Sequence, residues 1–158
     1  MFFARYLERR IAEVQTFVAF NETLPNGKKL LGIKFDVEPY GSKEWKAGGD
    51  QRRQVMRDYL SYLNQVNAYL STAAPSMELA VDVPFWWDKT EFQILFDGQE
   101  KLFVEHVQDR VEAIQTEGLG IYLLCGPRRT LRHRAGFVGP HGTRETLLPG
   151  QDARQLSG

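Results

Sequence analysis

Two short segments of the chain hold most of the side chains that could perform chemistry. The first, residues 32–40, reads GIKFDVEPY and places Asp36 and Glu38 two positions apart. Side chains two apart on an extended strand project from the same face, about 7 Å from each other. Paired carboxyl groups at that separation can keep one member protonated beside an ionised partner, as acid–base catalysis requires. The alternative is a strand-end pair that caps a helix or forms outward ion pairs.

The second segment, residues 80–88, reads AVDVPFWWD and contributes a further carboxylate. Asp82 is expected one strand over from the first segment and on the same side as Asp36. Lys34 extends the row of Asp36 and Glu38, where its ammonium group could hold a carboxylate ionised. Together the segments predict a polar site with Glu38, Asp36 and Asp82 as candidate catalytic residues and Lys34 beside them.

Aromatic side chains crowd the exit of the second segment. Phe85, Trp86 and Trp87 are consecutive there, and Tyr40 and Trp45 lie at or just after the end of the first segment. Indole rings at the mouth of a cleft stack on the apolar faces of sugar rings. The candidate substrate-binding residues, besides Lys34, are therefore Tyr40, Trp45, Trp86 and Trp87. The alternative is that the tryptophans pack beneath neighbouring helices, which we expect for at least one of them.

The spacing of apolar residues predicts the elements that position these side chains. Apolar residues recur every three or four positions in a helix and every second position in a strand. The predicted order is a helix over 2–18, a turn at 25–27, a strand over 30–38, a helix from an N-cap at Asp50 to about Leu70, a strand over 79–85, a tight turn at Asp97-Gly98, a helix over 101–110, and a strand at 111–115 or 121–125. Strands separated by helices pair in parallel through right-handed crossovers, so an α/β sheet is expected. Both polar segments then lie at the strand ends where α/β enzymes place their sites.

The two segments, GIKFDVEPY and VDVPFWWD, resemble a bacterial group of TIM-barrel proteins regarded as candidate glycoside hydrolases. Members of that group carry a G-I-H-x-D-V-E-P-Y strand and a later D-I-P-F-W strand. The resemblance covers residues 5–115. It implies a (β/α)8 fold and hydrolysis of a glycosidic bond.

The first segment is also loosely similar to the chitinase-like glycoside hydrolases, in which a strand ends D-x-D-x-E and the glutamate is the general acid. That similarity implies that Glu38 is the acid and that Asp36 positions it. Asp82, or a residue elsewhere, would then act as nucleophile or base. Lys34 and Leu31 stand where the chitinase-like pattern has aspartates. This difference counts against substrate-assisted cleavage of an N-acetyl sugar.

Chain length limits how much of such a barrel is expected. A closed (β/α)8 barrel takes about 250 residues, whereas this chain has 158. The expected fold class is α/β, an incomplete (β/α)8 TIM-barrel-like segment with parallel strands over residues 1–125. An incomplete barrel leaves strand edges unpaired, so we expect self-association through those edges.

Residues 126–158 differ in composition from the rest of the chain. They hold six arginines, no lysine, two acidic residues, six glycines and three prolines. This composition offers too little apolar surface to offset the entropy of ordering, so a disordered C-terminal tail is expected. A basic nucleic-acid arm and a segment foreign to the ancestral domain are the alternatives.

Composition excludes several classes of function. Twenty basic and twenty acidic residues cancel, so neither nucleic acid nor a membrane surface is an expected partner. A single cysteine, Cys125, excludes an internal disulfide and a multi-cysteine zinc site.

His106, with Glu105 and Asp109, is expected on a solvated helix face, and neither a metal nor another cofactor is predicted. The first residues, MFFARYLERR, show no signal-peptide pattern, so a cytoplasmic location is the default expectation.

Three functions are compatible with these observations. The first is a glycoside-hydrolase-like domain, incomplete in this chain, that acts on a carbohydrate substrate. The second is a non-catalytic carbohydrate-binding remnant that keeps Trp86 and Trp87 as its platform. The third is an inactive truncated fragment of a larger hydrolase.

Overall fold

A computed structural model of the protein describes residues 2–116 and 122–124. The α-helices are α1 (Phe2–Thr23), α2 (Lys43–Ala47), α3 (Gly49–Ala73) and α4 (Phe103–Gln108). The strands are β1 (Gly32–Phe35), β2 (Glu78–Val83), β3 (Gln93–Phe96), β4 (Gln99–Leu102), β5 (Ala113–Thr116) and β6 (Tyr122–Leu124). Short 3-10 helices follow β1 and β2, at Pro39–Gly41, Phe85–Asp88 and Thr90–Phe92.

Four of the strands form one sheet, in the order β1-β2-β5-β6. β1, β2 and β5 are parallel neighbours in chain order, with α3 between β1 and β2 and α4 between β2 and β5. The predicted α/β organisation with parallel strands is confirmed for these three strands. β6 differs, because it pairs antiparallel with β5. β3 and β4 form a separate antiparallel hairpin.

The core is built around α3, whose buried side chains recur at helical spacing. They are Val55, Met56, Tyr59, Leu60, Tyr62, Leu63, Val66 and Leu70. The helix predicted up to about Leu70 is thus confirmed and is slightly longer. The predicted N-cap at Asp50 is wrong, because Gly48 precedes the helix and Asp50 lies in its first turn, 2.6 Å from Arg53.

The two faces of the sheet have different environments. Val81, Val83 and Ile114 point to the helix side and are buried, and Phe35 meets the ring of Tyr62 on α3 edge-to-face at 5.6 Å. Strand alternation sends the intervening residues to the opposite side, where exposed or half-buried polar side chains lie. The helices therefore cover one face, and polar chemistry is concentrated on the other.

The strands are shorter than predicted. β1 ends at Phe35 rather than at Glu38. After it, Val37 and Pro39 are buried and the chain enters a 3-10 helix at Pro39. Apolar alternation continues through Val37, which explains why the sequence pattern predicts a longer strand. β2 likewise ends at Val83, and Phe85 begins a 3-10 helix.

The predicted turns are confirmed, but the hairpin that one of them joins was not predicted. Asp97 and Gly98 have φ values of 50° and 74°, which suits a two-residue hairpin turn between β3 and β4. β4 occupies the start of the helix expected over 101–110, which leaves α4 shorter. Both alternatives for the last strand are present, as β5 and β6.

Arg110 attaches the hairpin to α3. Its guanidinium donates to Asp97 at 2.6 Å and to Asn64 at 2.8 Å, and it lies 4.8 Å from the ring centroid of Phe96. In return Asn67 donates to the Arg110 carbonyl. The planar fork of arginine presents several donors in fixed directions, so one side chain joins the hairpin to α3.

The predictions for Cys125 and for residues 126–158 lie outside the described residues. Among the described helices, none is long and apolar enough to cross a membrane.

Gly32→Ala should destabilise the fold. A Cβ at Gly32 would lie 2.6 Å from the carbonyl oxygen of Glu78 on β2, so the parallel pair must separate. We expect a loss of about 1–3 kcal/mol in the free energy of unfolding, typical of overpacking. Gly41→Ala is the matched control, because nothing lies within 4 Å of the added atom. Urea titration of both variants measures the difference, and equal midpoints would contradict the prediction.

Candidate functional site

The three candidate carboxylates lie at the ends of two neighbouring parallel strands. β1 pairs with β2 so that Phe35 lies opposite Val81, which brings the following residues, Asp36 and Asp82, to the same level. Glu38 follows where the chain turns, and its carbonyl accepts from the Gly41 N–H at 3.1 Å. Asp36 and Glu38 are exposed, whereas Asp82 is half-buried. The structure therefore gathers the predicted acids at one edge of the sheet.

The relation between Asp36 and Glu38 differs from the prediction. Both residues lie beyond β1, and Glu38 has φ −100° and ψ 76°, away from extended strand geometry. Their separation is therefore set by the turn rather than by the repeat of a strand. Glu38 also occupies the position before the 3-10 helix, but its side chain does not cap that helix.

Lys34 joins the three parallel strands on the polar face of the sheet. Its Nζ lies 3.0 Å from Oδ2 and 3.2 Å from Oδ1 of Asp82 on β2, and donates to Oε1 of Gln115 on β5 at 2.8 Å. The side chain of Lys34 is 43% exposed and that of Asp82 is 12% exposed. Gln115 is a site residue that the sequence analysis missed, although its position directly opposite Asp82 follows from the pairing of β2 with β5.

Two of the predicted sugar-binding tryptophans belong to the core. Trp87 is fully buried, with its ring centroid 4.5 Å from that of Phe103. Trp45 is also buried and stacks on Trp87 and Phe92 at 6.1 and 5.7 Å. These rings are therefore not accessible to a ligand in this structure. Trp45 and Trp87 therefore pack in the core and do not line the cleft that the sequence predicted.

The remaining aromatic residues form a partly accessible surface. Trp86 and Tyr40 are half-buried and meet edge-to-face at 5.4 Å. Phe85 is 64% exposed. Trp86 rests on the buried cluster through Trp45, at 6.2 Å, so its position is set by the core. Tyr40, Phe85 and Trp86 are thus the aromatic side chains that a ligand can reach at the exit of β2.

A buried tyrosine lies beneath the carboxylates. Tyr59 on α3 is fully buried, and no described residue accepts or donates a hydrogen bond at its hydroxyl. Burial raises the pKa of Tyr59 well above its ordinary value of 10.0, and the negative charges of Asp82 and Asp36 raise it further. Burial likewise raises the pKa of Tyr62. Both hydroxyls therefore keep their protons in the folded chain.

His106 is in the core rather than on a solvated face, so that expectation is wrong. It is 1% exposed, and its Nε2 lies 3.1 Å from the carbonyl oxygen of Ile94. The short helix α4 turns this side towards the hairpin, where the ring of Phe96 meets His106 edge-to-face at 6.0 Å. Within residues 2–116 and 122–124, no group of three or more His, Cys, Asp and Glu residues could hold a metal ion.

Trp86 should account for most of the fluorescence that a soluble quencher can reach. The chain has three tryptophans, and Trp45 and Trp87 are buried. We expect Trp86→Phe to remove most of the acrylamide-quenchable emission and to shift the remaining emission to shorter wavelength. Trp87→Phe is the control: it should leave quenching intact but lower the melting temperature, because it opens space in the core. Strong quenching that persists in Trp86→Phe would contradict the burial of Trp45 and Trp87.

Stability should fall above pH 10 because of Tyr59 and Tyr62. In the unfolded chain these hydroxyls ionise near their ordinary value of 10.0, whereas the folded chain retains the protons. The unfolded state then binds fewer protons, so each residue lowers the free energy of unfolding by about 1.4 kcal/mol per pH unit in this range. We expect Tyr59→Phe to flatten this decrease, with little change or a gain at pH 7 because the hydroxyl is unpaired. The melting temperature is measured against pH for both proteins. If it falls equally steeply above pH 10 in the variant and the wild type, Tyr59 is not the cause of the decrease.

No protein-family model, curated protein or solved structure matches this chain. Function therefore rests on the chemistry of the described side chains. The candidate functional residues lie at the carboxyl ends of β1 and β2 and on the polar face of the sheet.

Proposed function

We propose that this chain is a glycoside-hydrolase-like domain in which Glu38 is the general acid and Asp36 stands beside it. The observation that carries the proposal is that three carboxylates and two partly accessible aromatic rings come at the carboxyl ends of two paired strands. Asp36, Glu38 and Asp82 lie at the ends of β1 and β2, and the 3-10 helices that follow these strands bring Tyr40 and Trp86 into contact. Glycoside hydrolases use two carboxyl groups flanking the bond that breaks, and aromatic rings hold the sugar.

The proposal includes a (β/α)8-like origin for the sheet. β1, β2 and β5 are parallel and lie side by side in the order in which they occur along the chain, with a helix in each connection and the hairpin of β3 and β4 also between β2 and β5. This is the order of successive strands in a (β/α)8 barrel, whose sites lie at the carboxyl ends of the strands. The polar face that carries Lys34 would correspond to the barrel interior. The antiparallel β6 departs from that pattern.

Each residue has a chemical role in the proposed reaction. Glu38 is exposed, so its carboxyl group can reach the glycosidic oxygen and donate a proton to it. Asp36 adds negative charge beside the positive charge that develops on the sugar ring. Asp82 is the candidate nucleophile or base, and its contact with Lys34 fixes the direction of its carboxylate.

A second candidate is carbohydrate binding without catalysis. It is favoured by the ion pair of Asp82 with Lys34, because the positive charge of the ammonium group makes the carboxylate a weaker nucleophile. It is also favoured by the exposure of Glu38, because the general acid of a glycoside hydrolase is commonly enclosed in an apolar pocket. An inactive fragment of a larger hydrolase would show the same features.

Glu38→Gln tests the catalytic role directly. The substitution removes the acidic proton but preserves size and polarity, so we expect hydrolysis to fall by about 10²–10⁴-fold while sugar affinity is nearly unchanged. The release of reducing ends from neutral polysaccharides measures hydrolysis. Calorimetric titration with the matching oligosaccharides measures sugar affinity. Glu91→Gln, at an exposed position of the 3-10 helix Thr90–Phe92, is the matched control and should behave as wild type.

The outcomes separate the two candidates. Wild-type binding without any hydrolysis supports the binding protein and contradicts the hydrolase. Equal hydrolysis by the wild type and Glu38→Gln would remove Glu38 from the mechanism.

A further inference from the structure

We infer that Asp82 and Gln115 form a clamp for two neighbouring hydroxyl groups of a neutral sugar, and that Lys34 positions them. This inference rests on the proposed function and names the class of ligand that the site selects. The three residues lie on β1, β2 and β5, on the face of the sheet opposite to the helices. They are within reach of solvent, in contrast to the neighbouring Val81 and Ile114.

Lys34 determines which hydrogen-bonding groups of Gln115 remain for a ligand. Its ammonium group can only donate, so the oxygen of the Gln115 amide faces it, at 2.8 Å. The amide nitrogen, with its two N–H donors, then points away from Lys34. Without this contact the amide could rotate and present its oxygen instead. Lys34 is therefore a positioning residue for the donor.

Asp82 supplies the matching acceptor. An ionised carboxylate has about four lone-pair directions, and Lys34 approaches each oxygen from one side, at 3.0 and 3.2 Å. Lone pairs remain on both oxygens. Asp82 and Gln115 are direct partners in the pairing of β2 with β5, so their side chains leave the same face about 4.8 Å apart. An acceptor and a donor side by side match two hydroxyls on adjacent ring carbons, one donating and one accepting.

Charge at this edge favours a neutral ligand over an anionic one. The charges of Lys34 and Asp82 cancel in their ion pair. Asp36 follows β1 at the level of Asp82 and adds a carboxylate. A phosphate or uronate group would be repelled by that carboxylate, and the ammonium group of Lys34 is already bonded to Asp82 and Gln115. Neutral hydroxyl groups meet no such repulsion.

Gln115→Glu removes the donor of the clamp. The new carboxylate still accepts from Lys34, but it has no N–H group, so the ligand hydroxyl that accepts from the Gln115 amide loses its donor. We expect affinity for neutral oligosaccharides to fall about tenfold or more, measured at a temperature at which the variant is folded, because a carboxylate opposite Asp82 lowers stability. Lys34→Met should weaken binding as well, because the amide loses its orientation. Gln99→Glu, on an exposed position of β4, is the matched control and should bind as wild type.

The experiment is a glycan array that carries neutral hexasaccharides together with uronate-containing and phosphorylated ones, followed by calorimetric titration of the strongest neutral hit. Neutral binding by the wild type that is lost in Gln115→Glu supports the clamp. Unchanged affinity in Gln115→Glu overturns it, as does a preference for the anionic glycans or an array with no hit.

Failure of the clamp and failure of the hydrolase have different signatures. If Gln115→Glu keeps the wild-type KM and Glu38→Gln abolishes hydrolysis, the clamp is wrong and the hydrolase stands. If the wild type binds neutral glycans through Gln115 but hydrolyses none of them, the clamp stands and the hydrolase is wrong.

Discussion

The packing of one long helix, α3, is the constraint on which the rest of the structure depends. The apolar side chains of α3 pack against the helix side of the sheet. One of its buried residues, Tyr59, also contacts Trp87 after β2, with the ring centroids 5.9 Å apart. Its polar side chains hold the neighbouring elements. Arg52 donates to the carbonyl of Trp45 on α2 at 3.2 Å, and Asn67 donates to that of Arg110 after α4. One helix therefore contacts the segments that follow β1, β2 and α4.

The described helices cover one face of the sheet, and this arrangement has a chemical consequence. The helix side is apolar, whereas alternation along the same strands places Lys34, Asp82 and Gln115 on the other side, where they bond to one another. A partly buried carboxylate is costly unless it is paired, so the contact with Lys34 is what allows Asp82 to be 12% exposed. The same contact gives Asp82 and Gln115 fixed directions. When helices pack on one face of a parallel sheet, strand alternation places polar side chains together on the other face.

Much of the architecture was predictable because it depends on local patterns. The spacing of apolar residues indicated α1, α3 and the parallel strands, and Asp97-Gly98 indicated its turn. The errors have two causes. Val37 continues the alternation of β1, yet the chain enters a 3-10 helix at Pro39, and the bend of the backbone there depends on the core beneath it. The hairpin of β3 and β4 was missed for a different reason, because its residues show only weak alternation.

The sequence by itself determined which chemical groups follow the strands, because Asp36 and Glu38 come directly after β1 and Asp82 lies near the end of β2. The pairing of β1 with β2 and the turn after β1 set how these carboxylates lie relative to one another. Only the tertiary structure decided which aromatic rings a ligand can reach. Trp86 and Trp87 are neighbours in the chain, yet one is half-buried and the other fully buried. The physical reason is that burial depends on residues far away in sequence, here the rings of α3 and α4, and no local pattern records them.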